Sequence, residues 1–284
     1  MNRSLLFVPG HKIEYIKKLK KPFPDVLVID LEDSVPNNKK EEALLKTQKF
    51  FKKNKIFNKI IYVRINYDGK IISKDLKKLI NKKITGFIIP KVKYDFEISK
   101  FIKFLNFQKK IRKFKKKLKI SFIVETVQAV LNLKKLLKFS NRINFIIYGE
   151  EDYHAEINDI NFNDKLENDY AKKYIPIVAK ANNIQAIYTP YLYLKNKKGL
   201  KKHILNSINL GYSGLLLIHP SQIEISNKYF YPLKKDLVIA NDIIKSNRSR
   251  KYEGQNISVL KNKLVGPPMI KRAQKIVNRV KKTQ

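Results

Sequence analysis

The sequence predicts an α/β protein, a closed (β/α)8 barrel of the TIM type with a C-terminal helical extension. Three observations carry that prediction. Short apolar runs rich in Ile, Val and Phe recur at intervals of about 30 residues, and each is followed by a Lys-rich stretch with helical spacing. Gly and Pro stand singly at the ends of the runs and form no flexible tract. Near-continuous apolarity is what a parallel strand buried on both faces requires, whereas a half-exposed strand alternates. A doubly wound open sheet is the alternative that the same alternation allows.

The elements follow in order. The first run, residues 4–8, closes at Pro9-Gly10, and residues 13–20 then space apolar side chains three or four apart with Lys between them, as a barrel helix does. The second run, 26–31, ends in Asp30-Leu31-Glu32-Asp33. The third, 60–65, holds Arg64 and is followed by Asn66; helical spacing returns over 75–81. The fourth, 86–90, ends at Pro90-Lys91 ahead of a helix over 97–110, and the fifth, 120–125, ends at Glu125-Thr126 ahead of a helix over 129–137. The sixth, 144–148, runs into Gly149-Glu150-Glu151-Asp152; the seventh, 186–189, meets Pro190; the eighth, 215–219, ends at His219-Pro220. Residues 1–220 therefore read as the barrel core. Residues 221–284 exceed one closing helix and read as that helix plus a lid or oligomer arm, with a break at Gly266-Pro267-Pro268 and a basic helix over 269–280.

Composition narrows the function classes. With 43% hydrophobic and 11% aromatic residues the chain is not disordered, and its 284 residues suit one large α/β domain. The absence of Cys removes disulfides, thiolate zinc sites and cysteine nucleophiles together. No apolar run approaches the roughly 18 residues that span a bilayer, and residues 5–8 are too short for a signal-peptide core, so a cytoplasmic protein without a membrane partner is expected. The net charge of +37 suggests a polyanion partner at first sight, but 53 of the 61 basic residues are Lys. Lys, Asn and Ile share A/T-rich codons, and phosphate readers favour Arg, so the charge reads as compositional and no nucleic-acid partner is expected.

In a barrel the chemistry sits at the C-terminal strand ends. Two arginines, Arg3 and Arg64, and several carboxylates are expected to share that rim. Clustered carboxylates repel unless a cation compensates, and with no Cys and four His, oxygen ligands dominate, which favours Mg2+. Glu125 and Asp152 close adjacent strands; capping of the following helices is the plainer reading of either taken singly. Arg64 lies inside an apolar strand and needs a partner, either an anionic substrate group or a neighbouring strand acid such as Glu32 or Asp33. His219 and His154 titrate near neutrality, but His219 reads as fixing loop geometry and His154 as facing outward.

Seven segments together resemble the HpcH/HpaI aldolase and citrate lyase superfamily, in its citrate lyase β-like and malyl- or citramalyl-CoA lyase branch. They are Arg3-Ser-Leu-Leu-Phe-Val-Pro-Gly10, Asp25-Val-Leu-Val-Ile-Asp-Leu-Glu-Asp33, Tyr62-Val-Arg-Ile-Asn66, Ile89-Pro-Lys91, Ile123-Val-Glu-Thr126, Gly149-Glu-Glu-Asp-Tyr153 and Ile218-His-Pro-Ser-Gln222. The resemblance implies a homotrimeric or homohexameric barrel that uses Mg2+ to cleave, or form, the carbon–carbon bond of a 3-hydroxy-carboxyacyl thioester. Malyl-, citramalyl- and citryl-thioesters of coenzyme A or an acyl-carrier protein are the substrate class, and an oxo acid is one product. Carried over, the metal carboxylates fall on Glu125 and Asp152, and the catalytic Arg that holds the oxo-acid carboxylate falls on Arg64. Glu32 and Asp33 match acids that orient waters around the metal. Arg3 matches a contact for the thioester carrier's phosphates or for the closed site, and backbone N–H groups around Glu150 to Asp152, with Glu151 and Asp152 among the substrate contacts, are implied at the oxo-acid end.

The sequence departs from the family pattern at four places. Where relatives have an Asp that serves a neighbouring subunit as acid/base, Asn262-Lys-Leu-Val-Gly-Pro-Pro268 has Gly266, and glycine transfers no proton. Asp242, Glu253 or a water are the substitutes on offer. Tyr188, Leu215 and Glu150 replace an Asp, a Lys and a small residue. An aldolase or thioesterase on a related small acid, or a non-catalytic paralogue acting as a scaffold, are the alternatives these changes leave.

Overall fold

The computed structural model describes residues 1–53, 60–66, 76–113, 117–157, 170–232, 234–251, 257–260 and 263–281. They form two compact units, Met1–Asn227 and Lys228–Gln284.

The first unit is a barrel of eight parallel strands: β1 Ser4–Pro9, β2 Val26–Asp30, β3 Ile60–Arg64, β4 Gly86–Ile89, β5 Lys119–Val124, β6 Ile143–Tyr148, β7 Gln185–Ile187 and β8 Leu215–Leu217. Each strand pairs with its sequence neighbour, and β1 also pairs with β8. The remaining gap, between β7 and β8, is closed by a parallel bridge from Tyr188 to Leu215. There Tyr188 N donates to Gly214 O at 2.8 Å and Leu216 N to Tyr188 O at 3.0 Å. That closure rejects the open doubly wound sheet.

The apolar runs give strands because both of their faces are covered. Alternate residues Leu5, Phe7, Val26, Val28, Tyr62, Ile88, Ile123, Phe145, Ile147 and Ile187 fill the barrel interior as one cluster. Their chain neighbours Leu6, Leu27, Ile29, Val63 and Ile146 are just as buried, against the outer helices.

The outer layer differs from expectation where polar residues compete for the backbone. Residues 13–20 do not make an α-helix; a 3-10 segment, Gly10–Lys18, winds there instead, interrupted at Lys12 (φ −115°, ψ 27°). The helix over 129–137 breaks into Val127–Leu131, Leu133–Leu136 and Leu137–Phe139, because Asn132 leaves helical geometry (φ −91°, ψ 6°). Its amide nitrogen donates to Lys93 O at 3.2 Å, which is how Asn side chains interrupt helices. The long helix Asp95–Ile111 starts two residues ahead of expectation, since Glu97 folds back to accept from the backbone of Lys93 and Tyr94. Of residues 75–81, a turn of helix covers Leu76–Leu79, and Asp75 lies outside the described residues.

In the second unit, helices Lys234–Lys251 and Pro267–Lys281 share an apolar cluster of Ala240, Ile243, Val265, Ile270 and Ala273. An antiparallel pair, β9 Ser258–Leu260 and β10 Lys263–Val265, completes it. The second helix starts at Pro267, where a missing N–H costs nothing. Among the described residues no helix is long and apolar enough to cross a membrane.

Candidate active site

The C-terminal strand ends converge on one acidic rim built around a buried arginine. Asp30 and Arg64 are the last residues of β2 and β3 and face each other in register. Arg64 Nε and Nη2 donate to the two Asp30 oxygens, each at 2.6 Å, and the guanidinium also sits 5.3 Å from the Phe7 ring centre. Nη1 lies 2.9 Å from Glu32 Oε2 and 3.0 Å from Asp33 Oδ2. Arg64 therefore has the internal strand-acid partners that a buried charge requires, and its main partner is one that residue pattern alone did not single out. The available signal was positional, since Asp30 and Arg64 end consecutive strands.

Asp30 is fully buried, and burial works to raise its carboxyl; the Arg64 charge and hydrogen bonds outweigh that and hold it below the usual range. The same carboxylate accepts from Glu32 N and Ser34 N, which turns the chain away from β2. Lys40 Nζ secures this turn by donating to the carbonyls of Leu31 (3.2 Å) and Glu32 (2.6 Å).

Glu32 and Glu125 are shifted in the opposite direction. Burial pushes Glu125 up to about 8, against the N–H of Lys91, which donates to its Oε1 at 2.5 Å; the charges of Asp152 and Glu32 push it further. Burial likewise pushes Glu32 up to about 7, although Arg64 opposes it. Glu32 Oε2 faces Arg64 without hydrogen-bond alignment and is buried with no hydrogen-bond partner among the described residues. Glu125 is further wedged against Gly149, where a Cβ would stand 2.5 Å from Glu125 Cβ and 3.0 Å from its Oε2. Gly149→Ala is expected to displace that carboxylate, costing about 1–3 kcal/mol of stability by overpacking. Should Glu125 hold Mg2+, the same shift would weaken that binding roughly 10- to 100-fold by the standards of ligand-orienting contacts; chemical unfolding and calorimetry check the two effects.

Glu151 and Asp152 lie exposed in the first turn of the helix Glu150–Glu156, after β6. Glu150, beside them, is buried and reaches Lys172 at 3.4 Å. Arg3 is not brought to this rim. It precedes β1, at the opposite end of the barrel, where its guanidinium grips Asp25 through Nε at 2.8 Å and Nη2 at 2.7 Å. The expectation that two arginines share the rim, with Arg3 on the carrier's phosphates, is corrected: Arg3 ties the start of β1 to the start of β2. His219 does fix its loop, its Nδ1 accepting from Ser221 N. Glu253 and Asn262 lie outside the described residues.

The donor set fits a hard divalent cation. Among the described residues no three His, Asp or Glu side chains converge into a cage. A pair of carboxylates, with Asp152 open to solvent and Glu125 disfavoured as an anion until a cation compensates it, is instead what Mg2+ takes while it keeps waters.

A closed parallel barrel with its acids and one buried arginine at the C-terminal rim has the layout of a barrel enzyme. The chain belongs to the HpcH/HpaI aldolase/citrate lyase family, whose model matches residues 3–220. It is 28% identical over 286 residues to the mitochondrial citramalyl-CoA lyase of Homo sapiens, covering 97% of this chain and 84% of that protein. A (3S)-malyl-CoA thioesterase of Cereibacter sphaeroides is 26% identical over 266 residues, covering 93% and 89%. The protein CitE of Mycobacterium tuberculosis, solved with magnesium, acetoacetate and coenzyme A, superposes with a TM-score of 0.78 at 21% identity, over 97% of each chain.

Proposed function

We propose that the protein is a Mg2+-dependent lyase that cleaves, or forms, a 3-hydroxy-carboxyacyl thioester of the malyl, citramalyl or citryl type. The observation that carries this reading is Glu125, a buried carboxylate wedged between Gly149 and the Lys91 N–H, with Asp152 and the Arg64 cluster beside it. Glu125 and Asp152 would hold Mg2+, which when bound polarises the substrate's 3-oxygen and carboxylate. Arg64, fixed by Asp30, turns Nη1 toward the substrate carboxylate. Glu32 and Asp33 orient waters around the metal, and backbone N–H groups at Glu151 and Asp152 face the oxo-acid end. In the cleavage direction the 3-hydroxyl gives its proton to a water in the site, its carbon becomes the carbonyl of the oxo acid, and the carbon–carbon bond breaks. The electron pair passes to the thioester's α-carbon, which then takes a proton.

The reading extends to a cytoplasmic homotrimer or homohexamer in which the segment after the barrel serves as lid or arm. Its support is the family resemblance and the separate apolar core of the second unit. The test is release of glyoxylate, pyruvate or oxaloacetate from malyl-, citramalyl- and citryl-CoA with and without Mg2+, Asp152→Ala serving as control. A metal-dependent product lost in the control is expected; silence on all three thioesters with intact Mg2+ binding overturns the reading.

Gly266 supports a second reading, thioester hydrolysis, because the position that supplies an acid/base in relatives has no side chain. A Cβ there meets only Pro268 Cδ, at 3.8 Å. Gly266→Asp is therefore expected to fold normally and to raise the lyase kcat by about tenfold or more, toward what a positioned acid contributes. No rise would assign proton transfer to another group.

A further inference from the structure

Lys91 has a left-handed backbone, φ 51°. A non-glycine residue holds that conformation only against a steric cost, and glycine takes it freely. The Lys91 N–H that reaches Glu125 does not explain a lysine there, since glycine would donate the same bond. The side chain does. Lys91 Nζ lies 3.4 Å from Glu32 Oε1 and 3.7 Å from Asp33 Oδ1, the two acids that also face Arg64 Nη1 at 2.9 and 3.0 Å. Two cations, one ending β3 and one just past β4, thus share two carboxylates between them.

Access to that shared space is uneven. The Arg64 side chain is 9% exposed and Glu32 4%, whereas Asp33 is 48% and Lys91 37% exposed. Arg64 has its Nε–Nη2 edge committed to Asp30, so only its Nη1 end is turned to the space. A bidentate grip on a substrate through the Asp30 edge is closed off, and Arg64 alone offers an incoming carboxylate little.

We propose that Lys91 is the second arm of a carboxylate clamp, in which the carboxylate of a small 2-oxo acid enters between Lys91 Nζ and Arg64 Nη1 and takes the place that Asp33 holds. Asp33, half exposed, swings to the solvent side of the site, from which it still orients waters. Exchanging one carboxylate for another leaves the charge between the cations unchanged, so the substrate enters without burying an unpaired charge. The proposal rests on the reading of this rim as an oxo-acid site and adds to it the residue that selects for the carboxylate.

Calorimetric titration of the Mg2+-loaded full chain with pyruvate and with oxalate tests it. Lys91→Met is expected to weaken both ligands by at least about tenfold, the range of a hydrogen bond to a charged group. Lys91→Arg should stay within about threefold of the native protein. Lys93→Met, an exposed lysine in the same loop, should match it. Mg2+ affinity without an oxo acid should change less than about threefold in Lys91→Met, because the backbone N–H to Glu125 remains. If Lys91→Met fails to fold, Lys91→Gln carries the same comparison. Native protein that binds oxo acid while the Lys91 variant binds it equally well overturns the clamp alone. Native protein that binds Mg2+ but neither ligand overturns the clamp and the oxo-acid reading together.

Discussion

Glu125→Gln is expected to abolish Mg2+ binding and to lower any metal-dependent turnover by roughly a hundred- to a thousandfold, while leaving the barrel folded and, at pH 8, more stable than the native chain. The argument is electrostatic. The Glu125 carboxyl is pushed up to about 8 by burial in the folded protein, from an ordinary value near 4.5. Between those two values the folded state holds a proton that the unfolded chain has released, so the group's contribution to stability is complete below pH 4.5 and is lost as pH rises through 8. The loss is on the order of a few kcal/mol at pH 8. A glutamine keeps the shape and the hydrogen bond from Lys91 without the charge. Thermal unfolding in EDTA between pH 5 and 8 should therefore fall more steeply for the native protein than for Glu125→Gln. Mg2+ should flatten the native slope and leave the variant's unchanged. Equal slopes would mean that Glu125 ionises as an ordinary carboxyl and is not reserved for a cation.

Arg64→Ala is expected to cost about 3–5 kcal/mol, because it leaves Asp30, fully buried, without its guanidinium and Glu32, nearly as buried, with Lys91 alone. Native Asp30 stays ionised because Arg64 bonds both of its oxygens at 2.6 Å. Without the guanidinium, burial dominates and Asp30 must take up a proton or draw in water. Asp30→Leu combined with Arg64→Leu should cost less than Arg64→Ala alone, since exchanging a pair for apolar side chains removes the unpaired charge. Turnover should be lost in both. Urea unfolding of the single and double variants checks this, and a double variant no more stable than the single would show that Asp30 is not what Arg64 stabilises.

Much of the fold was legible because the eight runs are buried on both faces and so carry little besides Val, Ile, Leu and Phe. Their ends fell within two residues of the strands, and the acids closing them sit at one rim. Three things were not legible. Helix continuity failed at Asn132, where a side-chain bond to Lys93, 39 residues away in the chain, competes with the helix. The choice of Asp30 as the main partner of Arg64 depends on the register of β2 against β3, which no local pattern encodes. Arg3 looked like a rim residue from its motif, yet it precedes its strand, and residues on that side of a parallel strand face the other end of the barrel.

The seam between β7 and β8 bears on how the protein is made. β1 needs β8 to cover its second edge, with Ser4 meeting Leu215, and the ring then shuts through Tyr188. At about 5–20 residues per second, a ribosome delivers that last strand on the order of ten seconds or more after the first. Throughout that interval β1 is an apolar ribbon with one bare side. Chains arrested short of Leu215 should accordingly be digested readily by protease and retained by chaperones, and release past Leu217 should bring protection of all eight strands at once. The first segment to emerge waits longest for its place, so burden on the folding machinery is set by the arrival of three leucines near the far end of the barrel.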